Sequence, residues 1–243
     1  MSKTLFMSTP RATGDHIICN ALYRHFSNKY ELCIFPVKKS IYFNVSSMLK
    51  DLGNIEYMIL PDRITRRSTH VASYLFEKLN FDVARFAWDG DNFPSKIPMT
   101  WDANIYHQFS LPFDMRWNNF FAPRDLSKED ELYNLLGCGL GNYAFIHEDQ
   151  SRSFNIKRKY VDSKLNLIKS NPNLKQFSIF DYRKVLENAS EIHCIEGSFS
   201  ALVESINLNS SLYAHRYARP EVLRDPWHAY KYKCEWQVIT ELN

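Results

Sequence analysis

The alternation of short apolar runs with amphipathic segments is the feature that most constrains the fold of this chain. Apolar runs of strand length occupy residues 5–8, 32–37 and 55–60. Between them, residues 17–26 and 43–52 carry apolar side chains at helical spacing. Strands and helices that alternate at this pitch form a parallel sheet with right-handed crossover connections. The first third of the chain is therefore predicted to be an α/β unit.

A second series of strands and helices is predicted after residue 126. We expect strands at residues 143–147, 174–180, 191–195 and 211–214, and helices at residues 127–136, 161–170 and 181–189 and after Gly197. Ser127 and Asp181 are the expected caps of two of these helices. The glycine-rich run at residues 137–141 is interpreted as a hinge. The predicted fold class is α/β, with two Rossmann-like parallel-sheet domains that face each other across a cleft and span residues 1–136 and 137–225.

The composition of the 243 residues excludes several classes of protein. Hydrophobic residues make up 45% of the chain and charged residues 23%, which excludes disorder over most of its length. A net charge of +3 with no concentrated basic face predicts no nucleic-acid partner. Aromatic residues reach 15%, and we interpret them as core residues in preference to a carbohydrate-binding surface.

Cysteine usage and the lack of targeting segments indicate a cytoplasmic protein. The five cysteines are odd in number and widely spaced, and most lie in apolar runs, which is typical of buried, reduced thiols. No signal peptide and no membrane-spanning segment is expected. A peripheral membrane contact is still compatible with the sequence, because basic and aromatic residues are mixed at Arg116, Trp117, Phe120, Phe121 and Arg124.

The loop after the first predicted strand contains the candidate general base. Ligands of open parallel sheets bind beyond the carboxyl ends of the strands. There, Gly14 permits close backbone approach, and the carboxylate of Asp15 could take a proton from an alcohol. An equally good interpretation is that Asp15 only interacts favourably with the helix dipole, as an acidic residue at the start of a helix. His16 is an alternative base, and Arg11 and His16 are assigned with Gly14 to the acceptor side.

Two further loops contain candidates for binding an anionic donor. In the loop that begins at His147, Arg152 offers a fork for phosphate and Ser151 a hydroxyl donor, although a solvated basic turn would look the same. The other loop, residues 196–200, places small residues at the start of a helix, where backbone N–H groups favour an anion. A helix simply capped by Ser198 is the alternative. The predicted donor-binding residues are Arg152, Ser151, His147, Phe180, Glu196, Gly197, Ser198, Phe199 and Ser200.

Two segments resemble the GT-B glycosyltransferases, particularly their heptosyltransferase-like (family 9-like) group. These segments are Thr13-Gly14-Asp15 with the helix that follows, and residues 181–205. The resemblance implies that Asp15 is the base, that residues 196–198 form the donor loop, and that Arg152 contacts the donor diphosphate. It also implies that residues 226–243 cross back to the first domain.

The activity implied is transfer of a hexosyl or deoxyhexosyl group from a nucleotide-sugar donor to a hydroxyl of a glycan acceptor. We expect an inverting reaction without a cofactor or metal, because cationic side chains and a helix dipole can stabilise the leaving diphosphate.

Other functions remain open at the level of the sequence. Asp89 and Asp91, one residue apart after a strand predicted at residues 83–88, could hold a divalent cation in a metal-dependent GT-A-like transferase. A sugar-nucleotide epimerase or a pyruvyl transferase could use a related two-domain frame. The aromatic stretch at residues 101–121 could instead belong to a non-catalytic module that binds glycans or nucleotides.

Overall fold

Two parallel sheets organise the part of the chain that the computed structural model describes, which is residues 3–8, 12–63, 66–86, 100–149, 152–218 and 232–240. The chain divides into two units, the first comprising Met1–Pro98 and Ile105–Pro123 and the second Met99–Asn104 and Arg124–Asn243. Each unit has its own sheet flanked by helices, which confirms the predicted α/β fold with two Rossmann-like sheets.

The first sheet is built from strands that are all parallel. They are β1 (Thr4–Ser8), β2 (Leu32–Lys38), β3 (Ile55–Leu60) and β4 (Asp82–Arg85), in the order β3-β2-β1-β4. The helices of the first half are α1 (Thr13–Ile18), α2 (Asn20–Ser27), α3 (Lys39–Met48), α4 (Arg66–Lys78), α5 (Trp101–Gln108) and α6 (Met115–Asn118). The helix expected at residues 17–26 starts at Thr13 and is divided at Cys19.

Aromatic side chains form much of the core of the first unit. The ring of Tyr23 lies 4.7 Å from that of Phe35 and 5.0 Å from that of Phe86. The ring of Phe109 lies 5.0 Å from Phe26 and 5.1 Å from Phe86. The interpretation of these rings as core residues is therefore confirmed, since each such pair adds to the free energy gained by burial.

The second sheet also contains only parallel pairs. Its strands are β5 (Tyr143–His147), β6 (Asn166–Lys169), β7 (Glu191–Cys194), β8 (Ser211–His215) and β9 (Trp236–Ile239), in the order β6-β5-β7-β8-β9. Its helices are α7 (Leu126–Leu135), α8 (Arg183–Glu187) and α9 (Ser198–Ser205). Side chains of β5 are buried on both faces of the sheet, as expected of a central parallel strand.

The strand order of the second sheet creates a topological switch point. The chain runs from β5 to β6 on one side and returns to β7 on the other, so the loops after β5 and β7 diverge. Ligands of open α/β sheets bind in the crevice where such loops separate. In the first sheet the corresponding position lies between β1 and β4, and the segments after these strands, residues 9–11 and 87–99, are outside the described residues.

The segment between β5 and β7 differs from the prediction. Residues 161–170, expected to be helical, contain β6, and residues 174–180, expected to be a strand, lead into the 3-10 helix Ile179–Tyr182. At the edge of the sheet, β6 buries Ile168 and exposes Leu167. The strand ends at a turn in which the side chain of Asn171 accepts a hydrogen bond from the backbone N of Asn173 at 2.9 Å.

Two helix caps lie elsewhere than predicted. Ser178 caps the 3-10 helix, and the carboxylate of Asp181 accepts hydrogen bonds from its N (2.6 Å) and Oγ (2.9 Å). Asp125, not Ser127, caps α7 by accepting a hydrogen bond from the backbone N of Lys128 at 3.1 Å. In each case an aspartate carboxylate accepts from an N–H group at the start of the helix that would otherwise be unsatisfied.

The hinge-like glycine run begins at the end of helix α7. Gly137 adopts a left-handed conformation with φ of 69°, which a glycine adopts more easily than any other residue, directly after the C-cap of the helix. The 3-10 helix Cys138–Leu140 follows before β5.

No disulfide joins the five cysteines, all of which lie in the described part of the chain, and Cys19, Cys33, Cys138 and Cys194 are buried, as predicted. None of the helices in the described part of the chain is long and apolar enough to cross a membrane. Of the residues considered for membrane contact, Arg116 is buried, and Arg124 forms ion pairs with Glu129 and Glu187.

The C-terminal segment is held to the second unit by a buried carboxylate. Glu204 of α9, which is 2% exposed, accepts hydrogen bonds from the backbone N of Lys233 (2.7 Å) and Cys234 (3.2 Å). It also accepts one from Nε1 of Trp236 at 2.6 Å, at the start of β9. Residues 226–243 were expected to cross back to the first domain, whereas the described residues 232–240 add a strand beside β8. A buried carboxylate needs such donors, which explains this placement.

We predict that Glu204→Ala lowers the free energy of unfolding by about 2–4 kcal/mol, because it leaves three N–H donors without their acceptor. Glu204→Gln should cost less, since the amide oxygen still accepts hydrogen bonds. Urea denaturation followed by tryptophan fluorescence measures both changes.

Glu131→Ala, at an exposed position of α7, is the matched control and should change stability by less than about 0.5 kcal/mol. Equal stability of the Glu204→Ala and Glu131→Ala proteins would show that Glu204 does not hold the C-terminal segment.

Candidate functional site

Three polar loops meet at the carboxyl edge of the second sheet. They follow β5, β6 and β7, and begin at Glu148, Ser170 and Ile195 respectively. The loops after β5 and β7 are those of the topological switch point, and the β7 loop leads directly into helix α9. This edge is therefore the candidate binding site of the second unit.

His147 lies at the centre of this edge. Its Nδ1 shares a hydrogen bond with Oγ of Ser170 at 3.0 Å, and its ring centroid lies 4.6 Å from that of Phe199. Its Nε2 lies 3.6 Å from the position that a Cβ atom on Gly197 would occupy. Burial lowers the pKa of His147 to about 4, outweighing the carboxylates of Asp149 and Glu148, which raise it. The imidazole is therefore neutral at neutral pH.

The start of helix α9 presents backbone N–H groups at the same edge. Gly197, not Ser198, is the N-cap. The hydroxyl of Ser200 accepts a hydrogen bond from the N of Gly197 and donates one to its O, both at 2.9 Å, so this hydroxyl is engaged with the helix itself. Gly197 is extended, and a Cβ there would make ordinary contacts. The first N–H groups of an α-helix have no acceptor within it, so Ser198 and Phe199 offer donors to an anion.

Glu196 belongs to a buried cluster. Its Oε1 accepts hydrogen bonds from Nε of Arg216 at 3.0 Å and from the hydroxyl of Tyr232 at 2.6 Å. Burial and the nearby Glu196 raise the pKa of Tyr232, so its hydroxyl stays protonated and donates. Glu196 was predicted to bind the donor, but its carboxylate would repel a phosphate and here organises two neighbouring side chains.

Arg152 lies on the β5 loop in an ion pair. Its Nε and Nη2 both lie 2.6 Å from Oδ2 of Asp149, and its guanidinium stacks 4.8 Å from the ring of Phe154. The side chain is 48% exposed. A phosphate at Arg152 would compete with the Asp149 carboxylate for the edge formed by Nε and Nη2. Ser151, predicted beside it, lies outside the described residues.

Phe180 is a buried residue of the 3-10 helix Ile179–Tyr182 and not the end of a strand as predicted. In the same helix, the ring of Tyr182 packs 5.1 Å from that of Phe199. Tyr182 therefore packs against α9, and Phe180 is a buried residue of the same 3-10 helix.

Asp15 lies in the first turn of helix α1, in the first unit. It is half-buried, and its backbone O accepts a hydrogen bond from the N of Cys19 at 3.0 Å. His16 is buried, and its Nδ1 shares a hydrogen bond with the hydroxyl of Tyr23 at 3.0 Å, so it packs within the first unit. Gly14 is buried, and Arg11 lies outside the described residues.

Sequence reasoning missed Ser170, Arg216 and Tyr232. Ser170 was hidden inside a predicted helix, although the turn-forming residues 170–173 after a short apolar run signal the end of a strand. Arg216 lies two residues after the predicted strand at 211–214, so the rule that assigned Arg152 could have found it. No local pattern places Tyr232 near Glu196.

Within the described residues, no group of three or more His, Cys, Asp or Glu side chains is arranged to hold a metal ion. Asp89 and Asp91, the metal ligands of the alternative hypothesis, lie outside those residues.

Comparisons with known proteins add a likeness in fold. No protein-family model and no curated protein matches the sequence. The structure of a glycosyl transferase family 9 protein from Veillonella parvula DSM 2008 matches with a TM-score of 0.53 and 7% sequence identity, covering 88% of this chain and 80% of that chain. At this identity the two proteins share a fold.

The structure of the E. coli ADP-heptose LPS heptosyltransferase II covers 88% of this chain and 84% of its own, at 9% identity. Its TM-score of 0.43 is too low to support a conclusion.

We predict that the low pKa of His147 makes the protein less stable in acid. The folded-state pKa of about 4 lies below the ordinary value of 6.5, so as the pH falls through this window the unfolded chain binds the proton first. Between pH 7 and pH 4.5, wild-type protein should lose about 2–3 kcal/mol more stability than His147→Gln. Urea midpoints at the two pH values measure the difference.

His107→Gln, at an exposed position of α5, is the control and should follow the wild-type pH dependence. The assignment is wrong if His147→Gln and wild type lose the same stability on acidification.

Proposed function

We propose that this protein is a glycosyltransferase that moves a sugar from a nucleotide-sugar donor to a hydroxyl group of a glycan acceptor. The observation that carries this proposal is the switch point of the second sheet, where His147 meets the start of helix α9. The shared fold with a glycosyl transferase family 9 protein supports it. The sugar type, an inverting outcome and independence from metal belong to the same proposal.

In the proposed complex, the donor diphosphate lies against the start of α9. The N–H groups of Ser198 and Phe199 favour negative charge, and the helix dipole adds to this preference. The imidazole of His147 is neutral, so it carries no negative charge that would repel the diphosphate of the sugar nucleotide. The same contacts would strengthen as charge builds on the leaving group.

Asp15 is the proposed general base. The acceptor oxygen attacks the anomeric carbon of the sugar while the Asp15 carboxylate takes the hydroxyl proton. The bond from the anomeric carbon to the diphosphate oxygen breaks, and the nucleoside diphosphate leaves with the electron pair. A single displacement of this kind inverts the anomeric configuration.

The test of this proposal is a panel of sugar nucleotides. UDP-, GDP-, dTDP- or ADP-sugars carry a diphosphate, and at least one should raise the melting temperature, because a ligand that binds the native state stabilises it. A CMP-sugar, which has one phosphate, should not. The stabilising donor should release its nucleoside diphosphate slowly to water, and in EDTA as well.

A chain that is stabilised by no member of the panel and releases no nucleoside diphosphate is not a glycosyltransferase of this kind. Binding without release would favour the non-catalytic module, and release abolished by EDTA would contradict metal independence.

We predict that Asp15→Asn lowers the release rate about 100-fold or more, because the amide cannot accept the proton. Donor affinity should change little, since the amide is isosteric with the carboxyl group. Single-turnover release and calorimetric titration of the same donor separate the two effects.

Asp125→Asn provides a control at the start of another helix, α7, where Asn also caps well. Release should be unchanged in this variant. Wild-type release by the Asp15→Asn protein would show that Asp15 serves only its helix.

A further inference from the structure

Arg216 is a second cation at the carboxyl edge of the second sheet. It directly follows β8, the neighbour of β7, and begins the 3-10 helix Arg216–Ala218. Its side chain is 21% exposed, so the guanidinium is partly desolvated yet reaches solvent. Charge-assisted hydrogen bonds are stronger where water is partly excluded.

The guanidinium of Arg216 is anchored through one edge. Its Nε donates to Oε1 of Glu196 at 3.0 Å, and its Cζ lies 5.2 Å from the ring centroid of Tyr232. Within the described part of the chain, Glu196 and the hydroxyl of Tyr232 are the hydrogen-bond partners of this guanidinium. The N–H groups that face away from these two residues are the donor edge that a ligand can use.

Arg152 differs in this respect. Both its Nε and its Nη2 are directed at Asp149, and its side chain is more than twice as exposed as that of Arg216. An anion would have to compete there with a carboxylate and with water. At Arg216 the carboxylate is bound at Nε, and the fork that suits a phosphate remains available.

We propose that Arg216 is the side chain that binds the diphosphate of the donor, with Glu196 and Tyr232 as positioning residues. This assignment rests on the proposed function. Glu196 directly precedes the Gly197 cap of α9, so its hydrogen bond ties the guanidinium to the loop that presents the N–H groups of Ser198 and Phe199. A diphosphate bound there would receive donors from the helix and from Arg216 together.

Tyr232 links this arrangement to the C-terminal segment. Its hydroxyl donates to the same Oε1 of Glu196, and the adjacent Lys233 is held by the buried Glu204. The position of the guanidinium therefore depends on residues 232–236 as well as on the β7 loop. A carboxylate with two donors on one oxygen restricts the rotamers of Arg216 before any ligand arrives.

The test uses inorganic pyrophosphate, titrated calorimetrically into the full chain in EDTA. Arg216→Gln can still donate to Glu196 through its amide but has no charge and no fork, and should weaken binding about tenfold or more. Arg183→Gln is the matched control. Arg183 is also held through Nε by a glutamate, Glu187 at 2.9 Å, and is 31% exposed. Its substitution should change affinity less than about twofold.

Equal affinity of wild type and Arg216→Gln would overturn the proposal, as would equal weakening by Arg216→Gln and Arg183→Gln. So would a wild-type chain that binds no pyrophosphate at millimolar concentration. If Arg216→Gln fails to fold, Arg216→Lys replaces it. The lysine keeps the charge beside Glu196 and loses the planar fork, and it should still weaken binding severalfold.

Tyr232→Phe tests the positioning role. It should weaken pyrophosphate binding in the wild-type background and have no further effect in Arg216→Gln, because it acts through that guanidinium. A loss of equal size in both backgrounds would show a structural role only.

The outcome is separable from that of the proposed function. Pyrophosphate binding that depends on Arg216, in a chain that transfers no sugar, would leave an anion site standing without the transferase. Donor turnover that is unchanged in Arg216→Gln would leave the transferase standing and remove Arg216 from it.

Discussion

A buried carboxylate must be surrounded by hydrogen-bond donors, and this requirement organises the second unit around helix α9. Glu196 lies just before the helix and Glu204 near its end, and both are about 2% exposed. Glu196 accepts hydrogen bonds from Arg216 and Tyr232. Glu204 accepts them from the backbone N–H groups of residues 233–234 and from the indole of Trp236. Because both sets include residues from the C-terminal segment, the helix, β9 and the site edge depend on one another.

The same carboxylates decide what charge the site can accept. With Glu196 directed at its donors and His147 neutral, the start of α9 presents backbone hydrogen-bond donors. A positively charged imidazole would be costly in this environment, since desolvation dominates the pKa of His147. The site is therefore suited to an anion by its backbone and by an anchored guanidinium, which fits the diphosphate of a sugar nucleotide.

Periodicity predicted the elements whose burial is regular and failed where the chain is irregular. Strands β1, β2, β3, β5, β7 and β8 were all predicted, whereas β9 was not. Strand β6 has one buried residue, Ile168, so its pattern resembles one side of a helix, and it was missed. The candidate site followed the same division: the loops after β5 and β7 were predicted from strand ends, whereas Tyr232, which meets Glu196 across 36 residues, has no local signal.

The two arginines show why a residue type at the right loop does not identify a binding residue. Arg152 and Arg216 both follow strands at the same edge of the sheet, and the sequence alone favours Arg152 because serines and further basic residues surround it. What separates them is how many of their N–H groups are already used, and that depends on where Asp149 and Glu196 lie in space. An aspartate three residues away can occupy two nitrogens of an arginine, whereas a buried glutamate in the loop after the neighbouring strand can hold the guanidinium and leave its outer edge open. Ligand binding at such a site therefore depends on the arginine N–H groups that no neighbouring carboxylate occupies. These groups are identified only from the packed structure.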